Sequence, residues 1–342
     1  MLFQPPLLPK YHAMNEDEIE LAIRARKAEL GDRLVILGHH YQQDEVIQFA
    51  DFTGDSLKLS QIGGQQDRAE FIVFCGVHFM AESSDILTGD NVKVVLPDLS
   101  AGCSMADMAE LDQLEDAWDS IVAKCGQSLV PITYVNSAAT IKAFCGDHGG
   151  ACCTSSNAGK VLEWAFDQRE KVIFLPDQHL GRNAAYAMGI PLESMAVYDP
   201  HLPGGGLTPD RVRDAKVFLW KGHCSVHALF TPEQCEAIRK DDPDCKVIVH
   251  PECNWEVVQR EDVAGSTEYI LKTVRESPPG VYSQDRARVA TRVALGGGHG
   301  DSSGQSARRG PSRPVHPLAR GDSVPLHDDV PDRHEAPALV VG

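Results

Sequence analysis

Apolar runs that close in polar residues recur along the chain as LVILGHHY (34–41), VPITYVNS (130–137) and KVIVHPEC (246–253). Consecutive aliphatic and β-branched residues without polar alternation predict strands of a parallel sheet covered on both faces. After each run comes a Gly- or Ser-bearing segment: GDSLKLS at 54, TSSNAGKV at 154 and GSTEYILK at 265. Their Ser and Thr residues are placed where helix N-cap hydroxyls belong. His39 to Ser56 spans 17 residues, Asn136 to Ser155 19, and His250 to Thr267 17. That regularity predicts three related α/β units.

A second strand follows in the first two units, FIVFCGVHF (71–79) and KVIFLPDQHLGRN (171–183). A third run in each ends at a cysteine, Cys103 in KVVLPDLSAGCSMAD and Cys224 in KVFLWKGHCSVH. In the third unit the second strand is expected near DRARVATRV (285–293), and no cysteine follows Cys253. The predicted architecture is therefore α/β, with three homologous αβα domains about a pseudo-threefold axis. These span 15–104, 105–224 and an incomplete 225–280.

Strand ends and helix starts of such units face one side, and three of them converge on one point. Helix N-termini favour small anions, which makes Ser56, Ser155 and Thr267 candidate substrate contacts. His39, Tyr41, Tyr134, Asn136, His250 and Glu252 at the strand ends can donate, accept or move protons.

Composition narrows the function. The chain has 342 residues, 42% hydrophobic and 24% charged, with a formal charge of -17. An acidic surface of this kind excludes a general affinity for nucleic acid. No apolar stretch reaches the roughly 20 residues a bilayer span requires, and MLFQPPLLPKYHAMNEDEIE lacks a signal-peptide pattern, so no membrane role and a cytoplasmic location are expected. Residues 281–342 carry 8 Arg against 7 Asp plus Glu and no Lys, Cys, Phe, Trp, Ile or Met. Such a tail cannot offset the entropy of ordering and is expected to be disordered. The rest of the chain then holds 24 basic and 42 acidic residues, a net of -18.

Ten cysteines without an export signal read as reduced thiols. Cys75, Cys125, Cys145, Cys235 and Cys245 read as core thiols, Cys152 and Cys153 as core or surface, and Cys253 as a residue lining the site. Trp220 and Trp255 read as packing residues, and LPGGGLTP (202–209) as a surface loop, since it lacks the Gly-Lys-Ser/Thr ending of a phosphate loop. Cys224 with His227 forms a Cys-x-x-His zinc half-site, yet no second half-site with zinc-like spacing accompanies it. The matching position of Cys103 favours another reading, one thiolate per unit around a 4Fe-4S cluster with one iron open to substrate.

The segments GHHYQQDEVIQFADFTGDSLKLS, FCGVHFMAES, LPDLSAGCSMAD, TYVNSAA, CTSSNAGKV, LPDQHLGRN, WKGHCSVH, HPEC and GSTEYI resemble quinolinate synthase in order and spacing, over about residues 15–280. The resemblance implies condensation of iminoaspartate with dihydroxyacetone phosphate to quinolinate for NAD biosynthesis, downstream of an aspartate-oxidising enzyme. It implies Cys103 and Cys224 as cluster ligands, and His39, Ser56, Tyr134, Asn136, Ser155, His250, Glu252 and Thr267 as substrate contacts. Tyr41, His227 and Glu252 would stand closest to the chemistry. A third cluster cysteine is implied where this chain reads SARRGPSRP (306–314). The abrupt loss of strand pattern after SPPG points to a shift of reading frame. As written, the chain lacks that ligand and is expected to show little or no activity. The alternatives are a degenerate, non-catalytic paralogue and another iron–sulfur hydro-lyase.

Overall fold

The computed structural model describes residues 4, 6–241, 243, 246–277 and 339–341. Among the described residues twelve short strands form three sheets, and every pairing between them is parallel. The first sheet contains β1 (Leu34–His39), β2 (Phe52–Gly54), β3 (Phe71–Cys75) and β4 (Lys93–Val95), in the order β2-β1-β3-β4. The second contains β5 (Leu129–Tyr134), β6 (Ala151–Cys153), β7 (Lys171–Leu175), β8 (Met195–Tyr198) and β9 (Val217–Trp220), ordered β6-β5-β7-β9-β8. The third has β10 (Val247–Val249), β11 (Val263–Ala264) and β12 (Leu339–Val341), ordered β11-β10-β12. In each sheet the strand that comes first in sequence lies between the next two, so the three apolar runs all become central strands. Their burial on both faces explains their lack of alternation.

The helix starts differ from expectation. Ser56 and Thr267 are first residues of helices Ser56–Gly63 and Thr267–Glu276 and do not cap them. The caps are Asp55 and Ser266, whose side chains accept from the backbone N–H groups of Lys58 and Tyr269. Ser155 precedes helix Ala158–Gln168 by a full turn, and Asn157 turns back to take the Thr154 N–H at 2.7 Å. Asp55 and Ser266 cap the first and third of these helices, while the N-cap residue of the second, Asn157, makes no side-chain cap bond, so none of the three hydroxyls is spent on capping.

Of the tail expected to be unstructured, Leu339–Val341 pairs with β10 in the position that β3 and β7 hold in their sheets. Three successive apolar residues, two of them β-branched, suit a strand added beside β10. The segments 285–293 and 306–314 lie outside the described residues, as does Cys245.

One apolar cluster runs through the first two sheets and includes Leu37, Ile72, Phe74, Met105, Ile132, Phe174 and Leu219. A second lies on the other face of the second sheet, with Leu129, Ile173, Phe218 and Trp220. The third sheet has its own smaller core of Phe230, Cys235, Ile238, Val247, Val249, Cys253, Val257 and Val258. Trp220 is fully buried and donates from Nε1 to the Met108 carbonyl at 2.7 Å, while Trp255 packs edge-on against Tyr186. The 202–209 loop folds onto Tyr198, where a Cβ on Gly205 would come within 2.2 Å of the ring. Among the described residues no helix is long and apolar enough to cross a membrane.

Candidate active site

The carboxyl ends of β1, β5 and β10 meet. His39 ends β1, Tyr134 ends β5 and His250 follows β10 directly, all three buried. Two residues further on stand Tyr41, Asn136 and Glu252. The two histidines are held alike. The backbone N–H of Tyr41 donates to His39 Nδ1, and that of Glu252 to His250 Nδ1, each at 3.3 Å. A ring nitrogen that accepts carries no proton, so each imidazole is fixed as the tautomer with Nε2–H. Burial, helped by His40, pushes His39 down to about 3, and burial pushes His250 down to about 4 against the opposing pull of Glu252. Both are neutral donors at physiological pH.

Glu252 is the centre of the arrangement and is 4% exposed. Tyr134 donates its hydroxyl to Oε1 at 2.6 Å, His250 Nδ1 lies 3.6 Å from Oε1, and His227 Nε2 lies 3.7 Å from Oε2. Burial pushes this carboxyl up. Attraction to His250 and His227 and hydrogen bonds from Tyr134 and Cys224 outweigh burial and leave it below its ordinary value. The histidine contribution requires charged rings, whereas burial lowers the pKa of both rings. Geometry decides between them. With His250 Nδ1 already accepting a backbone proton, the phenol is the firm partner, and Glu252 is a carboxylate among neutral rings. Burial and the adjacent carboxylate together hold the Tyr134 hydroxyl far above its usual range, so it stays a donor, and Ser155 also reaches it.

Tyr41 is 60% exposed as a residue, and its hydroxyl meets Thr267 Oγ1 at 3.1 Å. Withdrawal from water pushes that hydroxyl up to about 12. Ser56 is buried at the first turn of its helix, and Asn136 is half-buried. The structure thus gathers Tyr134, Ser155, His227, His250 and Glu252 with Cys224, and joins Tyr41, whose ring lies 4.6 Å from that of His39, to Thr267. It gives Asn136 and Ser56 the expected strand-end and helix-start positions without a side-chain bond to the others.

Cys103 and Cys224 occupy twin turns. The N–H groups of Met105 and Ala106 face the Cys103 sulfur, and those of Val226 and His227 face Cys224. The carbonyls of the two cysteines accept from Asp107 and Ala228 at 3.2 and 3.0 Å, and Ser104 Oγ lies 3.4 Å from Ser225 Oγ. The thiols sense one another and Glu252, and burial pushes Cys224 up to about 12. Two sulfurs cradled by backbone N–H groups on adjoining loops fit a cluster, since such donors stabilise sulfur once it carries charge. The segment expected to bring the third cysteine lies outside the described residues.

Asp177 and Asn183, both in LPDQHLGRN, received no role from the sequence. Asn183 Nδ2 donates to the carbonyls of Pro251 and Cys253 at 2.8 and 2.9 Å, so a side chain of the second unit grips the backbone on both sides of Glu252. Asp177 is fully buried. One oxygen takes the His179 N–H at 2.8 Å and the other has no partner. Burial, then the Glu252 charge, push it well above the carboxylate range, so it stays protonated. The signal in the sequence was that the end of a strand-like run carries five polar residues, Asp177, Gln178, His179, Arg182 and Asn183. Of the remaining thiols, Cys145, Cys153, Cys235 and Cys253 are buried, Cys75 and Cys125 are half-buried and Cys152 is exposed.

The sequence profile described as Quinolinate synthetase A protein matches residues 21–291. The quinolinate synthase of Geobacillus kaustophilus (strain HTA426) is 59% identical over 277 residues, 80% of this chain and 74% of that protein. That of Geobacillus sp. (strain WCH70) is 58% identical over 270 residues, 79% of this chain and 73% of its own. That of Nocardioides sp. (strain ATCC BAA-499 / JS614) is 58% identical over 265 residues, 75% of this chain and 67% of its own.

Proposed function

The chain belongs to the quinolinate synthase family of NAD biosynthesis, and from that premise we propose that it condenses iminoaspartate with dihydroxyacetone phosphate to quinolinate. The three sheets are taken as three related units about a common axis, with the site where their carboxyl ends meet. An aspartate-oxidising enzyme supplies the imine, in the cytoplasm.

The observation that carries this reading is Glu252. It is a carboxylate sealed from water, held by a phenol and flanked by two neutral imidazoles. A condensation that ends in loss of water needs protons taken from carbon and given to oxygen at one place, and such a group can accept the first. Neutral His39 and His250, with Nε2–H free, suit carboxylate or carbonyl oxygens of the substrate. The hydroxyls of Ser56, Ser155 and Thr267, none of them used as a helix cap, suit the remaining oxygens. Tyr41 reaches over this side from β1 and keeps its proton as a donor.

Cys103 and Cys224 would hold a 4Fe-4S cluster, which when bound supplies a Lewis-acidic iron for loss of hydroxide. His227, in the same turn as Cys224, stacks on His250 at 4.8 Å between ring centres and presents Nε2 to Glu252, so it is placed to relay a proton. The expectation of an inactive chain rested on residues outside the described ones and forms no part of this proposal.

Glu252→Gln tests the reading. The cluster spectrum should survive and quinolinate formation should vanish; normal turnover in this variant removes Glu252 from the chemistry.

A further inference from the structure

The sequence offered Cys224 and His227 as a zinc half-site without a partner. The fold supplies one from more than twenty residues away. Cys224 Sγ, a ring nitrogen of His227 and a carboxylate oxygen of Glu252 lie mutually within 4.8 Å, with His227 and Glu252 buried. We propose that in the cluster-free chain Cys224, His227 and Glu252 bind a single zinc ion, with a fourth position left open.

Each of the three has its other end already held. Glu252 Oε1 is taken by the Tyr134 hydroxyl at 2.6 Å, which leaves Oε2 toward His227. His227 Nδ1 lies 3.6 Å from Cys253 Sγ, which leaves Nε2 toward Glu252. Burial and the Glu252 charge keep the Cys224 thiol protonated while no cation is present, and the backbone N–H groups of His227 and Val226 face its sulfur. Ligands oriented from behind in this way are what a metal site needs beyond its ligand count. The donor set is one sulfur, one imidazole and one carboxylate, which suits zinc or cobalt and disfavours magnesium or calcium. Charge also fits. Binding releases the Cys224 thiol proton to solvent, and a thiolate plus a carboxylate then neutralise the dication, which removes the cost of a lone buried anion.

This goes beyond the enzymatic reading and separates from it at one residue. The cluster proposed above requires Cys103, whereas the zinc site does not. Zinc here would also withdraw His227 and Glu252 from proton transfer, so a zinc-loaded chain is an inactive form that must lose its ion before a cluster can be built.

The test uses the full chain, freed of metal by chelation and kept reduced, titrated with cobalt(II) as the probe and then with zinc. One cobalt per chain is expected, with tetrahedral d–d absorption and a charge-transfer band of single-thiolate intensity, all bleached by one equivalent of zinc. Cys103→Ser should leave this spectrum unchanged, while Cys224→Ser, His227→Gln and Glu252→Gln should abolish it. Three results overturn the proposal: no thiolate band in the wild-type chain, a band of two-thiolate intensity, or loss of the band in Cys103→Ser. The wild-type intensity decides the matter even if a variant fails to fold. None of these results bears on whether a cluster-loaded chain makes quinolinate.

Discussion

Tyr134→Phe removes one oxygen and leaves the ring in place, which isolates the 2.6 Å bond to Glu252. The bond is buried at both ends, with Tyr134 6% and Glu252 4% exposed, so no solvent replaces the lost donor. Hydrogen bonds to charged groups are worth about 1.5–3 kcal/mol, and a buried charge left short of a donor falls at the upper end of that range. With a urea m-value of about 3 kcal/mol/M, the unfolding midpoint should fall by about 0.5–1 M at neutral pH. The sign of the pH dependence follows from the direction of the Glu252 shift. Its folded pKa lies below the ordinary value, so the stability it contributes is present above the unfolded pKa and is lost as pH falls through the folded one. Removing the phenol lets burial raise the folded pKa. The gap between variant and wild type should therefore be widest near pH 7 and shrink as pH falls, first as the variant's carboxyl protonates and then as the wild type's does, until only a neutral hydrogen bond is missing. An equal loss at every pH, or none at pH 7, would refute the assignment of Glu252 as a carboxylate held by this phenol.

Asn183→Ala should speed hydrogen exchange at the Glu252 and Cys253 amides while the β5 and β7 amides keep their protection, and should lower kcat about 10- to 100-fold, the cost typical of removing a residue that orients a ligand or a catalytic group. Unchanged exchange at 252 and 253, followed by mass spectrometry, would show that the grip on the Pro251 and Cys253 carbonyls does not restrain Glu252. Gly222→Ala would bring a Cβ to 2.2 Å from the Pro176 carbonyl, a clash with backbone that cannot rotate away. Because Gly222 lies two residues before Cys224, the variant should lose thermal stability and cluster content together, and a soluble variant with full iron content contradicts the rigidity ascribed to that turn.

The central strands were legible because burial on both faces leaves unbroken apolar runs: β1 and β10 fall within the runs 34–41 and 246–253, and β5 begins one residue before the run 130–137. Their recurrence also made His39, Tyr134, His250 and Glu252 visible as one set, since equal spacing from a central strand fixes equal placement in space. Capping was misread because a hydroxyl beside a better acceptor looks the same in sequence: Asp55 precedes Ser56, and Ser266 precedes Thr267. The grip of Asn183 on residues 68 and 70 positions away carries no periodic signal at all. Neither does the charge of Glu252, which depends on donors contributed by β5 and by the turn at 224–227. Local patterns report which face a residue occupies, while cross-unit bonds depend on how whole sheets dock. The strand at 339–341 was hidden for the opposite reason: three apolar residues in a polar tail are too few to register as a run.

The third sheet closes its own small core and, among the described residues, meets the other two units through the Tyr186–Trp255 ring contact and through polar bonds, Tyr134 to Glu252, Asn183 to two carbonyls, Tyr41 to Thr267 and Lys58 to Glu268 at 3.7 Å. Most of these polar bonds lie at the site itself. A small molecule bound there touches both sides of the seam and acts as mortar: its binding energy adds to the cohesion of the third unit with its neighbours and leaves the first two units, fused by a shared apolar cluster, unaffected. Occupancy should accordingly be written in the protease resistance of residues 246–277 more plainly than anywhere else in the chain.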